Sequence, residues 1–128
     1  MPSDQHPHIH TEIEPLGDTG HWARVTVSNP TRLNVLGSGL IGELTTAIHA
    51  LEPDRQLRCV VLRGAGGAFC SGADLSQMSS GSTDESTIPF RGGFIELNLA
   101  MRDAGKPIIA QVERYALAGA LALICNST

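Results

Sequence analysis

Ile9, Thr11 and Ile13 alternate with His8, His10, Glu12 and Glu14, the two-residue period of a half-buried strand. Turn-forming residues follow, Leu16-Gly17-Asp18-Thr19-Gly20, and then Ala23, Val25 and Val27 alternate with Arg24 and Thr26. The pair predicts a β-hairpin, and Asn29-Pro30 closes its second strand because proline has no N–H to give to a ladder. Beyond a loop the period lengthens. Leu40, Ile41, Leu44, Ala47, Ile48 and Leu51 fall on one helical face, with Ser38 placed to cap the start and Pro53 to stop the end.

Cys59-Val60-Val61-Leu62 is an unbroken apolar run, which predicts a strand covered on both faces. A glycine-rich loop runs from Gly64 to Leu75, and from Ser79 to Gly93 serine, glycine and threonine predict a surface loop. Phe90, Phe94, Leu97 and Met101 line one side of a helix that Gly105 and Pro107 end. Ile108 to Val112 predicts a further buried strand, and Gly119 opens a last helix. Strands alternating with helices after a hairpin indicate an α/β fold with a parallel sheet. The chain contains no internal repeat.

Composition narrows this picture. The 128 residues are 41% hydrophobic but only 4% aromatic, so one core has to be built from Val, Leu, Ile and Ala. A formal charge of −4, with Lys106 the sole lysine, argues against nucleic acid as a partner. Cys59, Cys70 and Cys125 form no C-x-x-C pair, which argues against a disulfide scaffold or zinc ribbon and places the chain in a reducing, cytoplasmic setting. His6, His8 and His10 share one side of an alternating segment, yet no fourth ligand accompanies them, and they are read as a frayed polar start without metal. The first ten residues lack the apolar stretch of a signal peptide, and no run reaches membrane-spanning length.

The loop after Leu62 invites nucleotide readings that its residues refuse. A dinucleotide fingerprint needs glycine where Phe69 stands. A phosphate loop needs Lys and Ser or Thr where Ala73-Asp74 stand, and the carboxylate would repel phosphate. A nucleophile elbow at Ser71 lacks its flanking glycine. What remains is a tight turn at Gly72 that leaves the Ala73 N–H pointing outward, and a second small-residue turn at Ala118-Gly119-Ala120. Two such N–H groups converging on one oxygen would form an oxyanion hole. Spacing alone does not show that they converge, and each turn taken by itself is more often plain loop architecture.

Three segments in order resemble the enoyl-CoA hydratase/isomerase family, the crotonases. They are Val25-Thr26-Val27-Ser28-Asn29-Pro30 leading into Arg32-Leu33-Asn34-Val35-Leu36, then Val60-Val61-Leu62-Arg63-Gly64 running into Ala68-Phe69-Cys70-Ser71-Gly72-Ala73-Asp74-Leu75, and finally Lys106-Pro107-Ile108-Ile109-Ala110 ahead of Tyr115-Ala116-Leu117-Ala118-Gly119-Ala120. The resemblance runs from about Trp22 to the end. It implies a crotonase-like (ClpP/crotonase) ββα spiral core, with residues 1–21 a polar segment and first strand and 22–128 a partial domain. It also implies the front portion of a longer fold, cut before the C-terminal helices that complete the core and a trimer contact, hence a fragment or a protein that needs a partner.

By the same resemblance, the Ala73 and Gly119 N–H groups hold the thioester oxygen of an acyl-CoA. Arg32, Leu33 and Asn34, with Ser71, Gly72, Ala73, Asp74 and Leu75, flank the coenzyme A portion, which belongs to the substrate, so no separate cofactor is expected. The full fold would be a trimer-based homo-oligomer. The chain departs from the family pattern in several places: Ala122 stands where hydratases carry their first glutamate, the second would lie beyond Thr128, Arg114 replaces a glycine and Ser76 replaces a basic residue. Hydration needs a placed acid and base, so enolate chemistry other than hydration is favoured, with Glu96 and Glu113 the carboxylates to test and Asp74 read as a turn cap. A non-catalytic acyl-CoA binder or assembly subunit is the alternative. A Clp-type serine peptidase lacks its hydroxyl near Gly119, and a Rossmann-type dehydrogenase ranks last.

Overall fold

The computed structural model describes residues 6–30, 32–72 and 89–128. Ala73, Asp74, Leu75 and Ser76, and positions 79–88 of the expected surface loop, lie outside the described residues. The hairpin is present: β1 (His8–Pro15) pairs antiparallel with β2 (His21–Ser28), from His8 opposite Ser28 to Pro15 opposite His21. His8 and His10 therefore belong to a strand and not to a frayed start. His8 turns its Nδ1 to the His6 carbonyl at 2.8 Å, and His10 faces Glu12 at 3.4 Å. Among the described residues no group of three His, Cys, Asp or Glu is placed to hold a metal ion.

The helix α1 (Ser38–Leu51) buries Leu40, Ile41, Leu44, Ile48 and Leu51, the stripe that the 3.6-residue period sets out. Its start differs from expectation. Gly37 is the N-cap, in extended conformation and with no side-chain cap hydrogen bond, and Ser38 is already helical. Pro53 ends the helix as expected: Leu51 is its last residue, and the N–H of the Glu52 cap returns to the Ile48 carbonyl at 3.2 Å.

Chain reversal through α1 sets β3 (Leu57–Gly64) parallel to β2, and a second crossover through α2 (Pro89–Arg102) sets β4 (Ile108–Ala110) parallel to β3. Among the described residues the strands lie in the order β1-β2-β3-β4. α2 begins at Pro89, so the end of the expected Ser/Gly/Thr-rich loop is helical. Its Leu97, Ala100 and Met101 are buried with α1 and with Val25, Val60, Leu62 and Ile108 in one core.

Two strand expectations need correction. Within the apolar run of β3 Val60 and Leu62 are sealed, while Cys59 and Val61 on the other face are half-buried. β4 stops at Ala110, and Ile109 and Val112 are 47% and 46% exposed, so this strand is covered on one face only. Among the described residues, no helix is long and apolar enough to cross a membrane.

Candidate functional site

Three turns at one end of the sheet meet. The first leaves β2 at Asn29 and winds tightly, with the N–H groups of Arg32 and Asn34 both donating to the Asn29 carbonyl at 3.1 Å. Leu33 and Asn34 take left-handed backbone, φ 53° and 57°. Asn34 is 2% exposed, and its side chain is committed inward. Oδ1 accepts the Asn29 N–H at 2.8 Å, and Nδ2 donates to the carbonyls of Ala65 and Ala68, each at 2.9 Å.

The second turn follows β3. A single 3-10 turn, Ala65–Gly67, redirects the chain, and Ala68, Phe69 and Cys70 drop into the core. Gly64 has no room for a side chain, since a Cβ would run into the carbonyls of Ala68 and Phe69. The third turn, after β4, lies alongside the second. The Phe69 and Cys70 N–H groups donate to Glu113 and Tyr115 at 2.9 and 3.0 Å, and the Leu117 N–H returns to Cys70 at 3.3 Å. Cys70 and Ala116 form a parallel bridge.

Gly72 is where all three turns touch. Its carbonyl accepts the Leu36 N–H at 2.7 Å, and next to it the Ser71 N–H donates to the Leu33 carbonyl at 3.2 Å. Its φ is 101°, and a Cβ there would sit 2.7 Å from the Leu117 carbonyl oxygen and 3.3 Å from the Gly119 nitrogen. Glycine is required twice over, by conformation and by space.

Gly119 is the N-cap of the short helix α3 (Ala120–Cys125), preceded by Ala118 at φ 48°. The N–H groups of Ala120, Leu121 and Ala122 are taken by the carbonyls of Leu117, Ala118 and Gly119, whereas the Gly119 N–H has no backbone acceptor among the described residues. An amide hydrogen left over at a helix start, beside small residues, is suited to receive an oxygen carrying negative charge. The Cys70 thiol below is pushed up in pKa by burial, partly opposed by the Gly72 N–H, which approaches its sulfur at 3.3 Å.

The structure thus brings Arg32, Leu33, Asn34, Ser71, Gly72 and Gly119 into one locality. Arg32 and Leu33 are exposed, and the Ser71 hydroxyl donates to the Arg32 carbonyl at 3.4 Å. Glu96 belongs elsewhere: it lines a cavity of about 350 Å³ between α1 and α2 with His49, Glu52 and Asp103. Glu113 is exposed, accepts the Gln111 side-chain amide at 2.9 Å, and stands over Gly67 of the 3-10 turn. Ala122 is half-buried in α3 and offers no carboxylate. Sequence reasoning missed the structural part Asn34 plays, although an asparagine in a tight, proline-led loop is a residue that tolerates left-handed backbone. It also passed over Arg63, whose Nε is buried without a partner among the described residues.

Comparison with known proteins bears on this arrangement. The profile of the family described as Enoyl-CoA hydratase/isomerase matches residues 19–127. A probable mitochondrial enoyl-CoA hydratase of Dictyostelium discoideum is 32% identical over 111 residues, 84% of this chain and 38% of that protein. A probable enoyl-CoA hydratase of Rhizobium meliloti is 34% identical over 110 residues, 84% of this chain and 41% of its own. Among solved structures, an enoyl-CoA hydratase of Mycobacterium smegmatis superposes with a TM-score of 0.83 at 26% identity, over 95% of this chain and 46% of that one. An enoyl-CoA hydratase/isomerase of Xanthobacter autotrophicus Py2 gives 0.78 at 32% identity, over 94% and 44%. The chain spans about two fifths of the length of the curated relatives it matches.

Proposed function

The chain belongs to the enoyl-CoA hydratase/isomerase family, and on that premise we propose that it binds an acyl-CoA thioester and stabilises an enolate at the thioester oxygen. The observation that carries the reading is the approach of the Gly72 turn to Gly119, with 3.3 Å between a Cβ position on one and the amide nitrogen of the other. In this reading the Gly119 N–H and the N–H of Ala73, the residue after Gly72, donate to one oxygen. Removing a proton from the carbon next to the thioester moves charge onto that oxygen, and donors fixed beforehand favour this charged state over the neutral substrate. Arg32, Leu33 and Ser71 to Leu75 flank the coenzyme A portion, and no other cofactor is required. A trimer-based assembly is part of the proposal for the whole protein.

The test is a calorimetric titration of the folded chain with crotonyl-CoA and, separately, with free coenzyme A. Tighter binding of the thioester is expected. Equal or absent binding of the two sinks the reading.

One observation favours a second reading, an acyl-CoA binder without turnover: the side chain three residues past Gly119 is the methyl of Ala122. Proton transfer in hydration needs a positioned acid and base, and a methyl is neither. Conversion of crotonyl-CoA by the purified chain, followed by loss of the enoyl absorbance, removes this second reading.

A further inference from the structure

We propose that Asn34 is a positioning residue, which sets the geometry of the thioester-binding turn without touching the ligand. The inference rests on the acyl-CoA reading above and assigns Asn34 a different part from the coenzyme A contact that family likeness implies. Its carboxamide joins two loops far apart in sequence: Oδ1 holds the Asn29 N–H at 2.8 Å, and both Nδ2 hydrogens are spent on Ala65 and Ala68 at 2.9 Å. At 2% exposure little remains for a ligand to reach.

The bonds that fix the next turn flank this clamp. The Leu33 carbonyl, one residue before Asn34, accepts from Ser71 at 3.2 Å, and the Leu36 N–H, two residues after, donates to Gly72 at 2.7 Å. Gly72 in turn lies against Leu117, Ala118 and Gly119. Asn34 therefore acts on the Gly119 amide through Leu33, Leu36 and Gly72, and loosening it lets the two turns drift. Small displacements of positioned groups are costly in catalysis and in recognition of a charged oxygen.

Two variants separate the parts of the clamp. Asn34→Gly keeps the left-handed backbone at no steric cost and deletes the carboxamide. Asn34→Asp keeps the acceptor for Asn29 and sets an oxygen against the Ala65 and Ala68 carbonyls. In the full chain, Asn34→Gly is expected to cut the preference for crotonyl-CoA over free coenzyme A by about tenfold. Amide exchange at Leu36 and Ser71 should speed up while Val60, which donates to Pro107 in the core, stays protected. Asn34→Asp should do at least as much.

A folded Asn34→Gly chain with the preference and the Leu36 and Ser71 protection both intact overturns the proposal. So does a uniform loss of protection that includes Val60 while the preference is kept, which is the mark of a purely structural residue. If neither variant folds, the parent chain decides: slow exchange of the Asn34 side-chain amide supports the clamp, and prompt exchange overturns it. A parent chain that shows no preference for the thioester refutes the acyl-CoA reading alone, and the exchange measurements still decide whether Asn34 holds the turn.

Discussion

Among the described residues, Leu33, Asn34, Arg114 and Ala118 are the non-glycine positions with left-handed backbone, and all four lie in the two turns that meet Gly72. Such conformations cost about 1–3 kcal/mol each and persist where the surroundings enforce them. Their concentration in one place shows where the packing of neighbouring turns enforces strained backbone. Gly72→Ala is expected to destabilise the fold by about 1–3 kcal/mol, because its Cβ would press on the Leu117 carbonyl, and to weaken thioester binding in parallel; urea denaturation and the same calorimetric titration measure the two effects. The cysteines offer a second check. Cys70 is buried with its pKa raised, Cys59 is half-buried and Cys125 is exposed. Since the thiolate is the reactive form, iodoacetamide should modify Cys125 first and Cys70 last, as read by mass spectrometry of digests. Cys70 reacting first in the native chain would contradict this packing.

Elements were legible where a period was long and uniform. The α1 stripe could be read because five leucine and isoleucine positions repeat at helical spacing, and the hairpin because alternation runs through both strands. Boundaries were less so. Ser38 has the chemistry of a cap, yet Gly37 takes the position, since extended backbone at the cap does not demand a side-chain acceptor. The apolar run to Val112 overshoots β4 because such a run records hydrophobicity and not ladder pairing, and both Ile109 and Val112 are exposed. The stripe itself makes a plain forecast. Leu44→Ala, at a fully buried position, should cost about 2–5 kcal/mol by leaving a cavity, whereas Glu43→Ala on the exposed face should stay within about 0.5 kcal/mol. Chemical denaturation of both variants compares them, and equal losses would mean that α1 does not pack as described.

For the molecule as a whole, the meeting of the three turns was not legible. Spacing fixes which residues occupy a turn, but only the parallel register of β2, β3 and β4 determines which turns become neighbours. Family likeness supplied the candidate residues, and the hydrogen bonds around Asn34 and Gly72 supplied the arrangement.

A long-range link at the other end of the sheet bears on acid stability. The His21 ring meets Asp54 at 2.6 Å, and the Gln56 N–H donates to the same carboxylate at 2.9 Å. The His21 hydrogen bond first, then the Gln56 N–H, holds the Asp54 carboxyl below its ordinary value. A lowered carboxyl contributes stability that is present above its unfolded pKa, about 3.9, and lost as pH falls through the folded value. Asp54→Asn should therefore lower the thermal midpoint at neutral pH, and the gap to the parent should begin to close near the unfolded pKa and vanish once pH has fallen through the lowered folded value. A gap that persists unchanged to the lowest pH would assign the difference to something other than this carboxyl's charge.

The order of strands has one more consequence. Among the described residues, the outer flanks of the sheet are β4, three residues long, and β1, eight residues long. The short one offers too few rungs for a foreign strand to zip onto. The long one carries ionisable side chains at His10, Glu12 and Glu14 and finishes on Pro15, features that discourage templated stacking of one copy on another. Among the described strands, both flanks thus carry features that oppose fibre growth, one by its brevity and the other by its charges and proline.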